Sequence, residues 1–235
     1  MKEWCGTVAS WPGRPFRYGP ASVRVVPEAA AAAFAVPCPT PMNFLAHLYL
    51  SDPADDDLLL GNFIADSVPG RQLEAYPPGV QRGIRLHRLI DTYTDQHPVV
   101  RRTTARLREA GYGKYAGVVS DVFFDHFLAR NFPEFSTEPL LDFTQRVFAL
   151  LLARQAEMPA RVQQFLPYLV RDNWLLRYAD FEGVGQSLRG LSRRASPGSG
   201  METAVAELQR HYAAYEADFR EFWPQVRAYV GTVRS

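Results

Sequence analysis

From residue 42 onward, apolar positions recur every three or four residues, the period of helices that bury one face. "MNFLAHLYL" places Phe44, Leu45, Leu48 and Leu50 around a short helix. "DDDLLLGNFIADSV" starts with acids, which suit a helix N-terminus. "PPGVQRGIRLHRLIDTYTDQ" starts with proline, tolerated in a first turn, and carries Val80, Ile84, Leu86 and Ile90. Pro98 opens a further helix that Gly111 closes. The same period predicts helices through "VVSDVFFDHFLAR", "LLDFTQRVFALLLARQ", "ARVQQFLPYLVRDNWLLRY" and "VGQSLRGLSRR". A long one runs through "METAVAELQRHYAAYEADFREFW" and past Pro224, with Tyr212, Tyr215, Phe219, Phe222 and Trp223 spaced as core. Strand signals are scarce, and "PGSG" at 197–200 reads as a loop. The pattern predicts one compact all-α domain over 42–235.

Residues 1–41 follow a different rule. "WPGRPFRYGP", the alanines from Ala29 to Ala33 and "PCPTP" punctuate the segment too often for stable elements. It lacks the basic start and continuous apolar core of a secretory signal. It reads as a loosely ordered extension, with Met42 as the natural start.

Within the helical part, polar residues interrupt apolar surroundings. Asp121 and Asp125 share one helical stripe among Val118, Val122, Phe123, Phe124 and Phe127. His87 and Asp91 also lie four apart, Asp66 follows Phe63, Ile64 and Ala65, and His47 sits among Leu45, Leu48 and Leu50. An ionised carboxylate alone in a core costs several kcal/mol, so such acids are protonated, paired with arginine or bound to a cation. Taken singly, each has a plain alternative: His47 bonded to a backbone carbonyl, Asp91 paired with Arg85 or Arg88, Asp66 in a C-terminal turn. Together, facing helices that donate carboxylates and imidazoles suit a divalent metal. The donor set contains no cysteine, which favours magnesium, manganese or iron over structural zinc.

The totals narrow the partners. The 235 residues carry a formal net charge of +1, so nothing global points to nucleic acid or a membrane surface. Lys2 and Lys114 are the only lysines among 26 basic residues, leaving 26 − 2 = 24 arginines, which favour forked contacts wherever an oxyanion binds. Cys5 and Cys38 are the only cysteines, so the helical part has neither disulfide nor thiolate site. No apolar run approaches the ~20 residues that span a bilayer, and a cytoplasmic protein is expected. Walker, dinucleotide and nucleophile-elbow motifs are absent.

The blocks "MNFLAHLYL", "GNFIADSVPG", "YPPGVQRGIRLHRLIDTYTDQHP", "SDVFFDHFLARNF" and "NWLLRYADFEGVGQSL" together resemble the acyl carrier protein phosphodiesterase family, in that family's order. The resemblance implies hydrolysis of the phosphodiester joining 4′-phosphopantetheine to a serine of holo acyl carrier protein. It also implies manganese dependence, with magnesium or iron as alternatives, and a distant likeness to the helical HD-domain metal phosphohydrolases. Those enzymes usually show an adjacent His-Asp pair, whereas this chain has Asp125-His126 in reverse order and His87 one turn from Asp91. On this basis His87, Asp121, Asp125 and Asp66 are expected as metal ligands. Asp91 is expected to orient His87 or the attacking water, and His47 and His126 to transfer protons. Arg85 and Arg88 are expected at the phosphate. Arg101, Arg102, Arg189 and Arg193 crowd two helices as a docking patch for an acidic carrier protein or as solvated faces. Two rival functions stay open: a metal phosphohydrolase acting on nucleotides, and a non-catalytic helical protein that binds the carrier.

Overall fold

A computed structural model describes residues 44–234, and the extension read at 1–41, like Met42, lies outside the described residues. Twelve α-helices form the described part, without a strand among its residues. In chain order they are α1 (Phe44–Leu50), α2 (Asp56–Ile64), α3 (Pro78–Gln96), α4 (Pro98–Leu107), α5 (Ala116–Arg130), α6 (Phe132–Phe135), α7 (Leu140–Ala153), α8 (Ala160–Arg171), α9 (Trp174–Arg177), α10 (Phe181–Arg194), α11 (Ala204–Arg210) and α12 (Tyr212–Val233). No helix among the described residues is long and apolar enough to cross a membrane.

The central element is α5, whose apolar residues cover nearly its whole circumference. Val119, Val122, Phe123, Phe127 and Leu128 are fully buried, and the helix packs against α1, α4, α10 and α12. Its phenylalanines meet the aromatic row of α12: Phe123 lies edge-on to Tyr215 at 5.1 Å and Phe124 meets Phe222 at 5.5 Å. Of the row read as core in the sequence, Tyr215, Phe219, Phe222 and Trp223 are buried, and Tyr212 is half-buried against them.

Two expected helices are divided in the structure. The "ARVQQFLPYLVRDNWLLRY" segment breaks between α8 and α9 at Asn173, which takes a left-handed conformation (φ 40°) and caps α9 through Leu176 N. Asparagine tolerates that region because its short amide bonds locally. The segment beginning "METAVAEL" breaks at His211, leaving α11 short, while α12 runs through Pro224 as expected.

Helices α2 and α3 cross at bare backbone. A Cβ on Gly61 would stand 2.1 Å from the Val80 carbonyl oxygen and 2.9 Å from Gly83 Cα. One on Gly83 would stand 2.2 Å from the Leu58 carbonyl oxygen. Glycine at both positions is what lets the axes approach this closely. The same pair is clamped at one end by Asp55, which caps α2 at Leu58 N (2.9 Å) and accepts from Arg82 of α3 (2.7 Å).

Candidate metal centre

The close crossing puts Asn62, next to Gly61, against His87, one turn beyond Gly83. His47 of α1 comes in from the other side, and the two imidazoles stack with centroids 3.9 Å apart and planes 23° from parallel. Both rings address one atom: Asn62 Oδ1 lies 2.9 Å from His47 Nδ1 and 3.0 Å from His87 Nδ1. Their Nε2 atoms meet Asp91, which holds Oδ1 3.2 Å from His47 Nε2 and Oδ2 3.2 Å from His87 Nε2. Asp66 reaches His87 Nε2 with Oδ1 at 3.1 Å. Ligand atoms of His47, His87 and Asp91 all lie within 4.8 Å of one another. The imidazole side is closed, with 2% and 6% of the two ring side chains exposed, while 45% of the Asp91 side chain reaches solvent.

The rings differ in charge. Burial, helped by the positive charge on His87, lowers the pKa of His47 and keeps it neutral. Burial also acts against charge on His87, but the carboxylates of Asp66 and Asp91 outweigh it and lift the pKa to about 9. Burial disfavours ionised Asp91 as well, yet the two imidazoles hold its carboxyl well below the usual carboxylate range.

This leaves one contact unsatisfied. Neutral His47 has a single ring proton, which can go to Asn62 Oδ1 through Nδ1 or to Asp91 Oδ1 through Nε2. With the proton on Nδ1, its buried Nε2, which finds no hydrogen-bond partner, carries a lone pair 3.2 Å from Asp91 Oδ1. Two lone-pair atoms held this close are complementary to a cation, and imidazole plus carboxylate is a donor set that divalent ions of the first transition row accept. The residues fit a metal.

The other expected site residues take varied positions. Asp121 stands outside the 4.8 Å cluster, beside a small cavity lined by Ala46, Ile90 and Thr94, and finds no hydrogen-bond partner among the described residues. Burial and the charges of Asp91 and Asp125 raise its pKa well above the usual carboxylate range. Asp125, expected as a ligand, turns its two oxygens to Leu45 N (3.0 Å) and Ala46 N (2.9 Å), from which they accept, closing the first turn of α1. Burial pushes its pKa up to about 8 against the pull of those amides. His126, expected to transfer protons, donates from Nδ1 to the Tyr178 carbonyl (2.7 Å), and Tyr212 Oη faces its Nε2 (3.3 Å).

Arg85 and Arg88 lie on the exposed side of α3, where Arg85 donates to Gln81 and Arg88 to the Val68 carbonyl. Arg102, with 48% of its side chain exposed, is bound to Asp218 and Glu221 of α12. Arg101, Arg189 and Arg193 are exposed on α4 and α10. A cavity of about 350 Å³ lined by Tyr49, Phe143, Arg146 and Arg227 includes none of the clustered side chains. Asn62 was absent from the expected set. Its signal was present in "LLLGNFIAD", a polar side chain inside an apolar run, but it carries no charge to draw attention.

Comparison with known proteins adds a family. Residues 42–226 match the family described as acyl carrier protein phosphodiesterase. A curated relative of that name from Photorhabdus laumondii is 36% identical over 184 residues, covering 78% of this chain and 92% of the relative. One from Serratia proteamaculans is 36% identical over 188 residues, covering 79% and 95%. One from Escherichia coli O157:H7 is 35% identical over 188 residues, covering 80% and 96%. No solved structure matches the chain at a significant level.

Proposed function

This chain belongs to the acyl carrier protein phosphodiesterase family, and from that membership we propose that it hydrolyses the phosphodiester between 4′-phosphopantetheine and serine of holo acyl carrier protein. Water adds to phosphorus, the bond from phosphorus to the serine oxygen breaks, and the products are 4′-phosphopantetheine and apo carrier protein. The observation that carries a metal-assisted route is the unpaired Nε2 of buried His47 facing Asp91 Oδ1 at 3.2 Å.

His47 and His87 through Nε2, with Asp91 through its carboxylate, would hold a divalent ion, which we take to be Mn²⁺ with Mg²⁺ and Fe²⁺ as alternatives. When bound, such an ion supplies Lewis acidity toward water and toward the phosphoryl oxygens. The protein supplies the rest. Asp66, 3.1 Å from His87 Nε2, steadies that ring and adds negative charge beside it. Arg88 lies three residues from Asp91 on α3, and its guanidinium N–H groups not taken by Val68 can meet the phosphate, with Arg85 one turn earlier. Buried stacking of the two rings excludes water from the Nδ1 side and confines the reaction to the open Asp91 face.

Intact-mass measurement of holo carrier protein tests the proposal. After chelation, the chain is expected to leave it unchanged, and added Mn²⁺ to restore complete loss of the prosthetic group with its phosphate. A carrier protein of unchanged mass in all conditions, with release of phosphate from free nucleotides instead, overturns it.

A further inference from the structure

We propose that Asn62 is the positioning residue that imposes one tautomer on both imidazoles, placing the ring proton of His47 and of His87 on Nδ1 and turning both Nε2 atoms toward Asp91. The inference deepens the metal-site reading, and rests on it only for the use made of those Nε2 atoms.

The orientation of the amide is forced by its other end. Asn62 is fully buried, and its Nδ2 lies 2.9 Å from the His47 carbonyl oxygen and 2.9 Å from Ser51 Oγ. A carbonyl oxygen only accepts, so the group facing it must be the NH₂. Ser51 Oγ donates its own proton to the same carbonyl at 3.0 Å and so presents a lone pair to the amide. Flipping Asn62 would set oxygen against oxygen at that carbonyl. The Oδ1 end is thereby fixed between the rings, and its two lone pairs accept from Nδ1 of His47 and of His87. All four hydrogen bonds open to an amide are made, and one uncharged side chain determines which nitrogen of two different histidines stays free to bind a cation. With the rings stacked at 3.9 Å, both Nε2 atoms point the same way. A carboxylate could also accept from both rings, but it could not donate to the His47 carbonyl. The amide satisfies both ends.

The test reads the tautomers directly. The full chain is labelled with ¹⁵N-histidine, freed of metal, and studied by long-range ¹H–¹⁵N correlation over a pH series that ends where both rings are neutral. Signals are assigned with His47→Gln and His87→Gln. Both rings are expected to show a protonated Nδ1 and a bare Nε2, and an Nε2-protonated ring at either position overturns the inference. In Asn62→Leu at least one ring is expected to lose that pattern, and Mn²⁺ affinity, followed by electron paramagnetic resonance, to fall at least about tenfold. A folded Asn62→Leu protein that keeps both tautomers overturns the inference too. Should that variant not fold, the wild-type spectrum alone decides. A wild-type chain with the expected tautomers that binds no Mn²⁺ refutes the metal site and leaves the role of Asn62 supported.

Discussion

Replacing Asp125 by alanine separates a structural carboxylate from a metal ligand. Asp125 is completely buried on α5, and its two oxygens accept from the amides of Leu45 and Ala46 at 3.0 and 2.9 Å. These are second and third residues of α1, the donors that a capping side chain ordinarily serves. In Asp125→Ala both amides lose their acceptor. Each buried group left unpaired costs about 1–3 kcal/mol, so the pair amounts to roughly 2–6 kcal/mol. Removing a carboxyl that is itself strained by burial returns part of that, and a net loss of about 3 kcal/mol is expected. For a chain of this size that corresponds to a fall in melting temperature of roughly 6–12 °C. Asp125→Asn keeps one acceptor oxygen and should lose about half as much. Thermal melts and urea titrations of the metal-free protein measure both. A variant that melts with the parent while losing Mn²⁺ binding would refute the cap and return Asp125 to the ligand set.

Three further outcomes follow from the geometry. The pKa of His87 is raised in the folded protein, so its stabilising effect is complete below its unfolded value near 6.5 and is lost as pH rises through about 9. For a ring this buried the difference is on the order of 3 kcal/mol, and urea midpoints of metal-free protein should fall across that window in wild type and stay flat in His87→Gln. Binding Mn²⁺ must displace the Nε2 proton of His87, so titration calorimetry in buffers of different ionisation enthalpy near neutral pH should report release of roughly one proton; no release would place the ion elsewhere. Gly61→Ala should destabilise the protein by about 1–3 kcal/mol or more, because its methyl meets the Val80 carbonyl oxygen, whereas Gly117→Ala on α5, with nothing within 4 Å, should stabilise by about 0.5–1 kcal/mol. Equal effects in chemical denaturation would contradict the close crossing.

The helices were legible because their apolar period is local information. The same holds for His87 and Asp91, whose spacing on α3 announces a shared stripe before any partner is known. What sequence could not supply was the identity of partners far along the chain. Burial of Asp125 was readable from its phenylalanine neighbours, but its partners are amides 80 residues earlier. Arg102 stood out as one of a crowded basic helix, and its partner Asp218 lies 116 residues later. His47 and Asp91 were both singled out, yet the contact between them was beyond a one-dimensional pattern. Asn62 was missed for another reason. Reasoning from the cost of burying charge finds acids and imidazoles, and passes over an amide whose importance lies in having two ends.

The glycine crossing sets a condition on any attempt to transplant this chemistry. A designer who copies the two histidines and the aspartate onto another helical scaffold would reproduce the donors and lose their common aim. The bridging amide reaches both rings only because neither Gly61 nor Gly83 holds the helices a methyl apart. The smallest portable unit is therefore a pair of nearly touching backbones together with the side chains they carry.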